Sequence, residues 1–204
     1  NSNLPIGHLW SLNVEEHCYV LLSIVTIFVA GTRRTAIVLL MLAFAAIAIQ
    51  IGYHRGLLPP VRDDEIRTET AAAYILMSAG YALVRHRFSP WVRPWMPCLA
   101  FLATIPWYWR GMHGGLSELL TPVLLAFVVN HLNEAGASVR RALAAAPLRL
   151  LGLWSYSIYL WQQPLYQFRE LMPPGLAFGS AFAAGVVSFY FFENPVRTWL
   201  NRNW

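Results

Sequence analysis

Charge is what this sequence has least of. Of its 204 residues only 12% are Asp, Glu, Lys or Arg, about half the share of an ordinary soluble domain. A soluble chain of this length could not cover its surface with so few charges. Cysteine is nearly absent as well. Cys18 and Cys98 lie in or beside apolar stretches, make neither a metal-ligand spacing nor a disulfide framework, and read as small buried hydrophobes. The chain also lacks a Gly-rich phosphate loop, paired metal ligands, a nucleophile elbow and a dinucleotide-binding fingerprint. Those absences remove the motif-bearing nucleotide and hydrolase classes, and no bound metal or cofactor is expected. No repeat, low-complexity tract or long linker divides the chain. There is no initiator Met, and Asn1-Ser2-Asn3-Leu4-Pro5 reads as a loop cut open. The chain is therefore expected to be a trimmed part of a longer protein.

What is there is apolar. Hydrophobic residues make up 57% of the chain and the mean hydropathy is +0.45. Nine Trp and nine Tyr suit the headgroup level of a bilayer, where amphipathic rings collect. The net charge is +5 and the pI about 9.6. The basic residues sit in short runs between apolar stretches, not along one face. A lipid bilayer is thus the expected partner, and nucleic acid is not.

A spanning helix needs roughly 20 mostly apolar residues. The sequence offers seven such stretches, over about residues 14–30, 35–53, 70–84, 91–109, 116–132, 150–168 and 176–192. Pro94, Pro97 and Pro106 should shorten or kink the fourth. The loops alternate in charge. Arg33-Arg34 is basic, the connection from about residue 54 to 69 is mixed, and Arg85-His86-Arg87 through Arg93 is strongly basic. The loop after Arg110 is nearly neutral, Arg140, Arg141 and Arg149 are basic, and the tail carries Arg197 and Arg202. The positive-inside rule then puts the first, third and fifth loops and the C-terminus in the cytoplasm and the N-terminal end outside. An odd number of spans agrees. The predicted fold is an all-α polytopic transmembrane bundle.

Three polar clusters stand out. In His8-Leu9-Trp10-Ser11-Leu12-Asn13-Val14-Glu15-Glu16-His17, Asn13 and Glu16 fit a helix cap and its box carboxylate. Glu15 fits no cap. Ser11, Glu15 and Tyr19 are spaced by four and share a helical face, so Glu15 should look into the bundle or a wet cavity. In Trp154-Ser155-Tyr156-Ser157-Ile158-Tyr159-Leu160-Trp161-Gln162-Gln163-Pro164, Ser155, Tyr159 and Gln162 can share one face, and Tyr156, Tyr159 and Gln163 another. Such residues hydrogen-bond a neighbouring helix or a ligand, and packing explains them equally well. In Phe192-Glu193-Asn194-Pro195-Val196-Arg197, Glu193 and Arg197 could pair at the end of the last helix.

At these clusters the sequence resembles the acyltransferase 3 family of membrane acyltransferases. Residues 8–19 look like the family's "hWSLavEeqfY" segment, residues 151–164 like its "lG..SYsiYLwhwP" helix, and Glu193-Asn194-Pro195-Val196-Arg197 like its terminal "E.P.R". The resemblance implies about ten helices, of which seven are present here, so that residues 1–204 form a partial transmembrane domain without its N-terminal helices. It implies transfer of an acyl group, often acetyl, from cytoplasmic acyl-CoA to a hydroxyl of a cell-surface carbohydrate or glycolipid, at a bacterial inner membrane. It also implies a catalytic His on a helix upstream of Asn1, so this portion alone is expected to be inactive. By the same resemblance Glu15 and His8 are the catalytic candidates here. Trp10, Ser11, Tyr19, Tyr156, Tyr159, Gln162 and Gln163 are the candidates for holding the acceptor. Arg85, Arg87 and Arg93 are candidates for the CoA phosphates. The chain departs from the family pattern at Ala71 and Ala73, where many members carry Arg and Asp, and at Gln162, where many have His. A transporter and a non-enzymatic scaffold are the competing classes. The oligomeric state is not legible.

Overall fold

The structure, a computed structural model, describes residues 10–59, 67–110, 115–166 and 173–203. It is all-helical, with no strand among the described residues. The described residues divide into two compact units, one built on residues 10–140 and the other on residues 141–203.

The first unit contains α1 (Trp10–Phe28), α2 (Thr32–His54), α3 (Thr68–Val84), α4 (Met96–Arg110) and α5 (Leu116–Asn130), and α6 (Ala137–Leu143) begins in it. Short 3-10 turns at Arg85–Arg87, Ser89–Trp91 and Leu132–Glu134 link the later helices. The pair α2 and α3 forms the centre. Leu39, Ala43, Ala46 and Ile47 recur at helical spacing on α2, and Ala72, Ala73, Leu76, Met77 and Gly80 on α3, all buried. Small residues let the two backbones approach, which is how apolar helices gain contact where lipid is as apolar as Leu. Gly80 shows how close they come: a Cβ there would lie 2.9 Å from the Leu40 side chain. α1 adds Val14, Cys18 and Val25 to the same core.

Side-chain bonds fix the helix directions. His17, in the third turn of α1, bonds Thr68 at the start of α3. Tyr81 and Asn130, with His131 just beyond, join the C-terminal ends of α3 and α5. The Gly136 N–H bonds the Pro94 carbonyl at 3.2 Å, setting the start of α4 beside the end of α5. The unit therefore has two poles. One gathers the starts of α1, α3 and α5 with the end of α2. The other gathers the opposite ends, and most of the unit's arginines: Arg33, Arg34, Arg85, Arg87, Arg93 and Arg140.

The second unit contains α7 (Ala146–Tyr166), α8 (Pro174–Ser188) and α9 (Asn194–Asn203), with a π-helical turn at Phe189–Glu193 between the last two. Ala177, Ala181 and Gly185 form the buried face of α8. Trp154 meets Phe182 and Tyr190 edge-on at 6.1 and 6.3 Å.

Each of the seven expected stretches has a helical counterpart. Among the described residues, two helical stretches are long and apolar enough to cross a bilayer, Thr32–His54 and Pro174–Asn203, while Met96–Trp107 and Leu116–Asn130 are apolar but shorter. The others fall short for local reasons. α1 carries Asn13, Glu15, Glu16 and His17 in its first half, α4 and α5 carry Pro106 and Pro122 in 15 residues each, and α7 carries Arg149 and a run of polar residues.

Candidate functional site

The pole where α1, α3 and α5 begin holds the densest acid-base chemistry. His54, the last residue of α2, meets Glu118 in the first turn of α5 through its Nδ1 and the carboxylate Oε1. The Glu118 side chain keeps only 5% of its surface and the His54 ring 23%. The second carboxylate oxygen, Oε2, is buried with no hydrogen-bond partner among the described residues. A buried carboxylate this poorly satisfied is costly, and such groups mark functional sites more often than structural ones. Arg55 follows His54, and its guanidinium packs against the α5 N-terminus: a Cβ on Gly115 would lie 2.9 Å from an Arg55 terminal nitrogen. At the same pole the His17 Nδ1 and the Thr68 hydroxyl are 2.9 Å apart, and Arg67 pairs with Glu69.

The sequence reading did not find His54 or Glu118. The signal was available, since Glu118 interrupts the apolar run Leu116–Asn130 and an ionisable residue in such a run is a site hypothesis by itself.

The expected first cluster falls partly on this pole and partly off it. His8 lies outside the described residues, as do the side chains of Trp10 and Ser11. Glu15 and Tyr19 share a face, as their spacing requires. That face is exposed in this unit and does not look into it. The reason is rotational: α1 buries Val14, Cys18 and Val25, and each step along a helix turns the side chain by about 100°. Glu15 is one step off the buried stripe.

The opposite pole carries a second polar network. Tyr81 Oη and His131 Nε2 are 2.8 Å apart, and His131 is fully buried. Its Nδ1 lies 3.5 Å from Glu134 Oε1, and the Ser89 hydroxyl donates to that same oxygen at 3.2 Å. Burial pushes the Glu134 carboxyl up. Its own backbone N–H, Ser89 and His131 outweigh burial and hold it below the ordinary carboxylate range. Of the three expected phosphate candidates, Arg85 donates to the Asn130 carbonyl at 2.9 Å. Arg87 and Arg93 are exposed.

In the second unit the buried polar contact is Ser157 with Glu193. The Ser157 hydroxyl donates to Glu193 Oε2 at 2.5 Å. The expected Glu193–Arg197 pair is not formed: the π turn aims the carboxylate at α7, and Arg197 lines an open cleft instead. That cleft, about 720 Å³, is bordered by Arg149, Leu150, Leu153, Tyr156, Glu193 and Arg197. Tyr156 and Gln162 are exposed and Tyr159 half-buried, and the side chain of Gln163 lies outside the described residues. The structure thus brings Tyr156 to the cleft. Among the described residues no group of three or more His, Cys, Asp or Glu is placed to hold a metal ion.

Comparison with known proteins gives one further observation. The chain is similar to a Bacillus subtilis (strain 168) protein named "Putative peptidoglycan O-acetyltransferase YrhL", with 25% identity over 235 residues. The match takes in 95% of this chain and 35% of that protein, so the chain spans little more than a third of its relative's length. No family model matches the chain, and no solved structure matches it. The two helical stretches long and apolar enough to cross a bilayer are consistent with a membrane protein.

Proposed function

We propose that this chain is part of an integral membrane O-acyltransferase that moves an acyl group, acetyl first among candidates, from acyl-CoA to a hydroxyl of a cell-surface carbohydrate or glycolipid. The observation that carries the reading is the similarity to a protein named for O-acetyl transfer, which runs along nearly the whole chain. The polar clusters at residues 8–19, 151–164 and 193–197 add to it. So does the charge contrast between the two poles of the first unit, which suits a bundle lying across a bilayer with its arginine-rich pole in the cytoplasm.

The chemistry sets what such a site must supply. An alcohol is a weak nucleophile near neutral pH, so its proton needs a base and the oxyanion that forms on the acyl carbon needs donors. The donor is a thioester with several phosphates. Arg85, Arg87 and Arg93 lie toward the same pole in the chain order of the helices and would suit those phosphates by charge-assisted bonds. In this reading Glu15, on the outward face of α1, grips the acceptor or orients a catalytic histidine from outside the unit, and His8, Trp10, Ser11 and Tyr19 are further candidates for the same task. Tyr156, Tyr159, Gln162 and Gln163 hold the acceptor or line its path.

The test is transfer of labelled acetyl from acetyl-CoA to extracted surface glycans by membranes containing the full-length natural protein. Ester-linked label on a glycan is the expected result. No transfer by well-folded protein, with acetyl or longer donors and with any glycan pool, would move the reading to a transporter or a scaffold of glycan assembly.

A further inference from the structure

We propose that the cleft of the second unit, between α7 and the start of α9, holds the phosphate headgroup of a membrane phospholipid. Arg149 and Arg197 bind the phosphate and an acyl chain lies along α7. The proposal goes beyond acyl transfer and needs only that this unit lies in a bilayer.

Two arginines reach one cleft from different helices. Arg149 comes from the first turn of α7 and Arg197 from the first turn of α9, and both border the opening of about 720 Å³. Both are exposed, and neither pairs with a carboxylate among the described residues. Glu193 borders the cleft too, but its Oε2 accepts the Ser157 hydroxyl. Two guanidiniums against one carboxylate leave the lining positive. Guanidinium N–H groups match phosphate oxygens in pairs, which makes arginine the side chain of choice for that group.

The walls of the cleft say what carries the phosphate. Leu150 and Leu153 line it. A second opening, about 430 Å³, meets it at Tyr156, Glu193 and Arg197 and continues past Leu160, Phe192 and Leu200. Arg149 and Leu160 are three turns apart on α7, about 16 Å at the helical rise. A cationic end that leads into an apolar groove of this length fits a phosphodiester with an acyl chain attached. A soluble phosphate would use the arginines and leave the groove unfilled. The depth agrees as well. The positive-inside rule puts the starts of α7 and α9 at the cytoplasmic surface, the level of lipid phosphates. Trp199, exposed on α9, suits the same level.

The experiment uses the full-length protein in neutral detergent, titrated with dioleoylphosphatidylglycerol. A ligand of the folded state raises the unfolding midpoint, and the titration gives an apparent affinity. Dioleoylglycerol, with the same chains and no phosphate, should raise it far less. Arg149→Gln and Arg197→Gln should each weaken the apparent affinity about tenfold, the loss of one hydrogen bond to a charged group. Both side chains are exposed, so the lipid-free midpoint should stay at the wild-type value. Leu153→Trp fills the cleft with both arginines in place and should weaken binding too. Arg202→Gln, on α9 but outside the cleft, should leave it unchanged. The proposal is overturned if the two arginine variants bind as wild type does. It is overturned if Arg202→Gln weakens binding as much as they do, which would mean general surface attraction. It is also overturned if inorganic phosphate or CoA raises the midpoint as phosphatidylglycerol does, which would make this a site for soluble phosphates. Protein that binds the lipid here and transfers no label keeps this proposal and loses the acyl-transfer reading.

Discussion

Gly185 of α8 lies so close to α7 that a Cβ on it would sit 2.6 Å from the Ile158 Cα and 2.8 Å from its backbone nitrogen. Backbone cannot swing aside as a side-chain end can, so this crossing admits hydrogen only. Gly185→Ala should destabilise the second unit by about 1–3 kcal/mol through overpacking. Gly152 on α7 has open space where its Cβ would go. Gly152→Ala should therefore stabilise by up to about 1 kcal/mol through helix propensity. Detergent-unfolding midpoints of the two variants should move in opposite directions. Shifts of the same sign would contradict this packing.

Tyr81→Phe removes the partner of a fully buried imidazole nitrogen. The expected cost is about 1–3 kcal/mol, the penalty of an unsatisfied buried polar group. Adding His131→Leu should return part of that loss, because both polar groups are then gone. A double variant less stable than Tyr81→Phe would show that His131 has a further role, with Glu134.

Loss of Ser157 leaves the Glu193 carboxylate without its hydroxyl donor. Ser157→Ala should cost about 1.5–3 kcal/mol, as hydrogen bonds to charged groups do. Glu193→Gln keeps an acceptor at the same place and should cost less. Thermal unfolding in detergent ranks the two.

Acid should weaken the arginine-rich pole. The Glu134 carboxyl is held below its ordinary value of 4.5. Its stabilising contribution is thus fully present above that value and is lost as pH falls through the lower folded value. Glu134→Gln should flatten this part of the acid limb in a stability-versus-pH curve. An unchanged limb would mean that Ser89 and His131 do not favour the ionised carboxylate.

The helices were legible because apolar stretches long enough to span are rare in ordinary chains, and each one expected is found as a helix. Their ends were less so. α1 begins at Trp10, earlier than the apolar run at Val14, because the helix continues through polar Ser11 and Asn13. The short α6 was not foreseen, since seven residues carry too little period to read. The site was legible in part. Glu15 was visible as an acid off the cap pattern, but which way it faces depends on which residues α1 buries. His54 and Glu118 lie 64 positions apart, and only the folding of α2 against α5 joins them. Ser157 was hidden among more conspicuous aromatic neighbours, and the π turn that brings Glu193 to it has no pattern of its own.

Acyl transfer coupled across a membrane is the activity proposed for the whole protein. The most direct test places the full-length protein in sealed vesicles with its arginine-rich pole outward, supplies labelled acetyl-CoA outside, and traps the glycan acceptor inside. Ester-linked label on the enclosed glycan is expected, abolished or strongly reduced by Glu15→Gln at equal protein content. Absence of label inside, with the wild-type protein intact and correctly oriented, would contradict it.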